Sequence, residues 1–126
     1  MSIWEYANPK RFMQTSGLLL PWVTGLTLAC LVAGLFWGFF LTPDADKFGS
    51  TVKIIYLHVP AAMMAISAWA MMVVTSIIWL VRRHHVSALS AKAAAPIGLT
   101  FTLIGLVTGA IWGQPMWGTW WAWDPR

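Results

Sequence analysis

The residues of this chain with the clearest potential for chemistry are one histidine and a group of tryptophans. His58 lies within an apolar stretch, in the segment Tyr56-Leu57-His58-Val59-Pro60. An ionisable side chain inside such a stretch is uncommon and indicates function, and a neutral imidazole is a frequent axial ligand of haem iron. The alternative is a histidine hydrogen-bonded among lipid headgroups, and that alternative is favoured for His58 taken alone.

Half of the chain's 10 tryptophans fall within its final segment, from position 112 to position 126. They are Trp112, Trp117, Trp120, Trp121 and Trp123. The interleaved Gly113, Pro115 and Gly118 predict an irregular loop rather than a helix. So much aromatic surface suits a large, flat, apolar ligand, but tryptophan is also typical of the belt at a membrane–water interface. Composition alone leaves these two interpretations open.

Long apolar segments must position these side chains. The chain has 126 residues, of which 59% are hydrophobic and 10% are charged, so it has too few polar residues to cover a soluble globule. A bilayer is crossed by roughly 20 apolar residues in a helix, and three stretches meet that length, at 17–41, 54–81 and 93–112. The sequence therefore predicts an all-α integral membrane protein with three transmembrane helices in a single membrane domain, 1–126.

Basic residues at the span ends predict the topology. Lys10 and Arg11 precede the first span, and Arg82-Arg83 directly follows the second. Cytoplasmic loops are enriched in Lys and Arg, so we predict a cytoplasmic N-terminus and a C-terminal loop on the outer face. His58 then lies on the same face as the tryptophans. The net charge of +4 is concentrated at these span ends and does not indicate nucleic-acid binding.

The tryptophan segment carries a recognisable pattern. The sequence W-G-x-P-x-W-G-x-W-W-x-W-D-x-R runs from Trp112 to Arg126 and resembles the WWD signature of the haem-handling proteins of cytochrome c assembly. The two spans that precede it, and the segment Tyr-Leu-His-Val-Pro-Ala-Ala around His58, resemble the CcmC family. The resemblance covers essentially the whole chain and corresponds to the N-terminal half of that family.

The resemblance implies a function and a set of binding residues. Similar proteins hold haem b at the periplasmic face of the bacterial inner membrane and present it to the haem chaperone CcmE. Their partners are CcmD and the CcmAB ATPase complex, and they are haem-transfer subunits rather than classical enzymes. His58 would be the axial ligand of the iron, and the five tryptophans would pack against the porphyrin. Asp124 and Arg126 complete the implied site, with Arg126 ranked above Lys47 and Lys53 as the partner of the propionates.

One feature of the family has no counterpart in this sequence. Relatives usually have six spans and a second haem-ligating histidine in a later outer loop, whereas His84 and His85 lie at the opposite end of the second span. The expectation from the sequence is a truncated or split product that binds haem weakly alone. Two other interpretations stay open, namely an inert membrane fragment or scaffold that packs through its Gly-x-x-x-Gly pairs, and a subunit of a haem transporter.

Overall fold

The fold described here is that of a computed structural model, in which residues 8–123 are described. Helix α1 spans Pro9–Phe36 and continues into a π-helical turn, Trp37–Leu41. A short 3-10 turn, Ser50–Ile54, leads into helix α2, Ile55–Arg82. Helix α3 spans His85–Trp117.

Each of the three helical segments is long enough to cross a membrane. Within residues 8–123, the segments Pro9–Leu41, Ser50–Arg82 and His85–Trp117 have 33 residues each and are strongly apolar. At 1.5 Å per residue such a helix is about 50 Å long, against roughly 30 Å for the hydrocarbon core, so its ends reach the headgroup regions. The chain is an all-α, multi-pass membrane protein, and the three predicted spans are confirmed.

The turn between α2 and α3 is tighter than the predicted connection. The predicted spans 54–81 and 93–112 leave residues 82–92 as a connection, but residues 85–92 are helical. Arg83 closes α2 with a left-handed backbone (φ 53°), and His84 begins α3 by accepting a hydrogen bond from the backbone N–H of Ser87 at 3.3 Å. A side-chain acceptor at this position compensates a helix-start N–H that has no partner within the helix. Pro96 consequently lies inside α3 instead of near its start.

The other end of α3 also runs further than predicted. The helix continues through Gly113 and Pro115 to Trp117 and ends where Gly118 adopts a left-handed conformation (φ 75°). Membrane-spanning helices tolerate proline when neighbouring groups compensate the lost hydrogen bond. Gly113 is buried, and a Cβ there would lie 3.3 Å from the Trp117 ring. The first turn and a half of the predicted loop is therefore helix.

Helices α2 and α3 form an antiparallel pair with small residues between them. The buried residues of the two helices are all small and include Ala61, Ala65, Ala68, Ala94 and Gly98. Small side chains let helix backbones approach closely, which is the main source of contact energy between helices in lipid. The indole N–H of Trp69 donates to the hydroxyl of Thr102 at 3.0 Å and adds a polar link to this interface.

Helix α1 has little contact with this pair. The π-helical turn that follows it packs against α2 at Gly38, where a Cβ would lie 2.7 Å from Cγ of Tyr56. A Cβ on Gly34 would meet nothing within 4 Å. Of the glycine pair in the first span, only Gly38 is thus used for helix contact.

Candidate functional site

The site is built around His58, in the first turn of α2. Its Nδ1 lies 3.0 Å from the hydroxyl oxygen of Thr108 on α3. Its ring is stacked on that of Trp112, with 6.4 Å between ring centroids and 22° between the planes. The sequence placed His58 and the tryptophans at the same end of the bundle, and the structure brings them into direct contact.

A glycine on α3 makes room for the imidazole. A Cβ at Gly109 would lie 3.0 Å from Cε1 of His58, which is closer than nearly all real Cβ contacts. One helical turn earlier, a Cβ at Gly105 would lie 4.0 Å from the backbone of Ala62, an ordinary van der Waals contact. Both members of the second Gly-x-x-x-Gly pair therefore face α2, and Gly109 is the one that fits against His58.

Beside His58 there is a cavity of about 470 Å³. This volume lies within the range of roughly 300–1,000 Å³ that is typical of small-molecule sites. Its lining includes the face of α3 that carries Gly105, Gly109 and Gly113, and aromatic residues that follow the end of that helix. The remaining lining residues are Leu106, Ala110, Trp117, Thr119, Trp120, Trp121 and Ala122.

The aromatic rings at this end contact one another edge to face. Trp112 and Trp117 have their centroids 5.2 Å apart at 84°, and Trp121 and Trp123 have theirs 5.5 Å apart at 75°. Edge-to-face contact at these distances is favourable for aromatic pairs. The side-chain hydroxyl of Thr119 donates to the carbonyl of Trp121 at 2.9 Å and fixes the turn between them.

The predicted binding residues have different positions around the cavity. His58, Trp117, Trp120 and Trp121 line it. Trp112 stacks on His58. Trp123 is 93% exposed, and Asp124 and Arg126 lie outside the described residues. Their proposed contacts with a ligand therefore remain predictions.

The two lysines near this end have different surroundings. Lys53 is largely buried and forms an ion pair with Asp44, with 2.8 Å between Nζ and the carboxylate oxygen. Lys47 is exposed. Because Lys53 already has an anionic partner within the chain, it is the weaker of the two as a partner for an anionic ligand.

Sequence reasoning did not identify Thr108. It is 50 residues from His58 in the chain, and it is one of several threonines in a long apolar helix. Thr108 reaches Nδ1 of His58 only because of how far α3 is shifted and rotated against α2. Gly105 and Gly109 form a Gly-x-x-x-Gly pair that predicts helix packing, but the contact of Gly109 with the imidazole depends on the same register.

Together, the fold and the cavity define a multi-pass membrane protein with an aromatic-lined cavity at one end of a helix pair. The family model described as heme exporter protein C (CcmC) matches residues 2–126. The chain belongs to this family.

Relatives from several bacteria match along the whole chain. The identity is 71% over 126 residues with heme exporter protein C of Rhodobacter capsulatus and 72% over 126 residues with that of Paracoccus denitrificans, and in both cases 100% of this chain and 52% of the relative are covered. With the Escherichia coli K12 protein of the same name, the identity is 44% over 122 residues, covering 97% of this chain and 50% of the relative. The chain spans about half the length of the curated relatives that it matches.

Proposed function

We propose that this chain is a haem-binding subunit of cytochrome c maturation, and that it holds haem b in the cavity between α3 and the tryptophans. The observation that carries the proposal is the contact of His58 with an apolar, tryptophan-lined cavity of about 470 Å³. An imidazole next to a wide aromatic surface is the combination that an iron porphyrin requires. The relatives' shared name, heme exporter protein C, supports the same ligand.

The residues that are present fit a haem. Nδ1 of His58 is engaged by Thr108, and within residues 8–123 Nε2 makes no hydrogen bond to the protein, so Nε2 is the ring nitrogen left open to a ligand. The rings of Trp120 and Trp121 offer apolar faces to a porphyrin, and exposed Lys47 offers a cation for a propionate. When bound, haem supplies an iron centre that accepts an axial nitrogen ligand.

The location and the partners belong to the same proposal. Arg82 and Arg83 lie at the end of α2 that is remote from the cavity, which supports a cytoplasmic position for that end. The cavity would then open at the periplasmic face of a bacterial inner membrane. There the chain would present haem to CcmE, in a complex with CcmD and the CcmAB ATPase.

The first test is a haem titration of the purified full chain in lipid nanodiscs. We expect a Soret band of protein-ligated haem that saturates near one haem per chain, together with quenching of tryptophan fluorescence, because several indoles border the cavity. Empty nanodiscs of the same lipid provide the control for haem that dissolves in the bilayer. Spectra identical to those of empty nanodiscs would contradict the proposal and favour an inert fragment or a scaffold.

Transport is the second candidate, and the word exporter in the relatives' name favours it. Below the cavity, however, α2 and α3 close against each other through Ala61, Ala65 and Ala68. A site at one end of a closed helix pair is suited to holding a ligand at one face. Haem uptake into sealed vesicles that contain only this chain would support transport instead.

A substitution in α3 tests whether haem binds in the cavity beside His58. In Gly109→Ala the new methyl group displaces the imidazole by a few tenths of an ångström, so we expect haem affinity to fall by roughly 10-fold, as for the loss of a group that orients a ligand. Gly98→Ala is the matched control, since Gly98 lies on the same helix away from the cavity lining, and its new methyl group would enter ordinary contact with Ala68 at 3.4 Å and should leave affinity unchanged. Equal haem affinities of the two variants, measured by titration, would exclude this placement.

A further inference from the structure

We propose that Thr108 is a positioning residue that fixes the tautomer and orientation of His58, so that Nε2 carries the lone pair offered to iron. The inference rests on the proposed function, because it concerns the same ligand. It goes further by assigning a role to an α3 side chain and a direction to its hydrogen bond. The contact itself is Nδ1 to Oγ1 at 3.0 Å.

The direction follows from counting hydrogens. A threonine hydroxyl has one hydrogen to donate and two lone pairs to accept with. The Thr108 hydroxyl lies 2.6 Å from the carbonyl oxygen of Ile104 and 3.3 Å from that of Gly105, and carbonyls only accept. The hydroxyl hydrogen is therefore used within α3. The remaining contact, to His58, has to be an Nδ1–H donating to the hydroxyl oxygen.

A second pair in the same interface has the same arrangement with no ambiguity. The Trp69 indole N–H only donates, and it donates to Thr102 at 3.0 Å. The Thr102 hydroxyl in turn donates to the carbonyl of Gly98 at 2.7 Å. The two pairs are therefore alike. In each, a ring N–H on α2 donates to a threonine hydroxyl on α3, and that hydroxyl donates its own hydrogen to the backbone carbonyl four residues earlier in α3.

The chemical consequence lies at the other ring nitrogen. An imidazole protonated at Nδ1 keeps its lone pair at Nε2, and ligating histidines are commonly held in this way through the nitrogen that does not bind metal. Thr108 is one of the few polar side chains that are buried, at 8% exposure, so water competes little for this bond. A neutral hydroxyl orients the ring without adding the charge that a carboxylate would bring.

The test compares Thr108→Val, Thr108→Ser and the matched control Thr102→Val, all in the full chain in nanodiscs. The first readout needs no haem: ¹⁵N chemical shifts of labelled histidine report the tautomer, and the His58 signals are assigned by their loss in His58→Ala. The second readout is haem affinity, with the iron–histidine stretching band in resonance Raman spectra. Valine keeps the shape of threonine and removes the hydroxyl, whereas serine keeps the hydroxyl.

We expect Thr108→Val to lose the predominance of the Nδ1–H tautomer and to bind haem roughly 10–100-fold more weakly, with a shifted iron–histidine band. Thr108→Ser should restore both readouts, and Thr102→Val should match the unmodified chain. An unchanged tautomer and affinity in Thr108→Val, or no restoration by serine, would overturn the inference. Normal haem binding by His58→Ala would instead overturn the proposed function, while the tautomer measurement still reports on Thr108.

Discussion

Replacing His58 with alanine is expected to remove axial ligation and to lower haem affinity by about 100-fold or more, above the range for groups that merely orient a ligand. The physical reason is that His58 is the histidine in contact with the cavity, and its ring is held between Thr108 and Trp112. The measurement is a haem titration that follows both the position and the intensity of the Soret band. Haem that still enters the variant through its aromatic contacts should show the spectrum of unligated haem.

Two other histidines provide controls of the same chemical type. His84 and His85 follow the far end of α2, which at 1.5 Å per residue is roughly 35–40 Å from His58. His85→Ala is the cleaner control, because His84 accepts the hydrogen bond that begins α3 and its loss costs about 1 kcal/mol of helix stability. Both variants should keep the unmodified spectrum. A loss of ligation in His85→Ala equal to that in His58→Ala would show that a different histidine ligates the iron.

Added imidazole separates ligation from folding in the same experiment. In His58→Gly the missing ring leaves space next to Gly109, which free imidazole can fill. Restoration of the ligated Soret band by millimolar imidazole would show that the cavity persists and that only the ligand had been removed. A band that does not return, with a folded protein, would mean that His58 supports the cavity rather than the iron.

The helical architecture could be predicted from hydropathy because lipid imposes a strict rule on the backbone. A backbone in hydrocarbon must satisfy its polar groups internally, so long apolar runs become helices whatever their detailed sequence. The same rule explains the errors at the ends. Gly113 and Pro115 favour a helix end in water, but in this membrane-spanning segment α3 continues through both to Trp117.

The site could be predicted only in part. Counting spans was enough to place His58 and the tryptophans at one end, because each crossing reverses the direction of the chain. The contacts of His58 with Thr108 and Gly109 depend on the rotation and register of α3 against α2. That register is set by many small contacts between alanines and glycines, none of which is distinctive in the sequence.

The aromatic residues carry the second large prediction, which decides between a haem-binding surface and a membrane belt. The double variant Trp120→Ala/Trp121→Ala removes two rings that line the cavity. Burying a large apolar side chain contributes about 1.5–3 kcal/mol, so losing two half-exposed rings should cost about 3 kcal/mol, or about 100-fold in haem affinity. The Soret position of the haem that does bind should be unchanged, because His58 still ligates the iron.

The matched control is Trp37→Ala/Trp79→Ala, which removes two exposed indoles near the ends of the first and second helical segments. A belt acts through headgroup contacts at any span end, so a belt role predicts similar, small effects of both double variants on haem affinity and comparable effects on stability in the membrane. If the tryptophans form a haem-binding surface, Trp120→Ala/Trp121→Ala should bind haem weakly with an unchanged Soret position, and the control double variant should bind haem normally. His58→Ala should show the complementary result, in which the spectrum changes. These two results together would show that the aromatic residues hold the porphyrin and that the histidine ligates the iron, because one variant loses haem affinity with an unchanged Soret position and the other loses the Soret band of ligated haem.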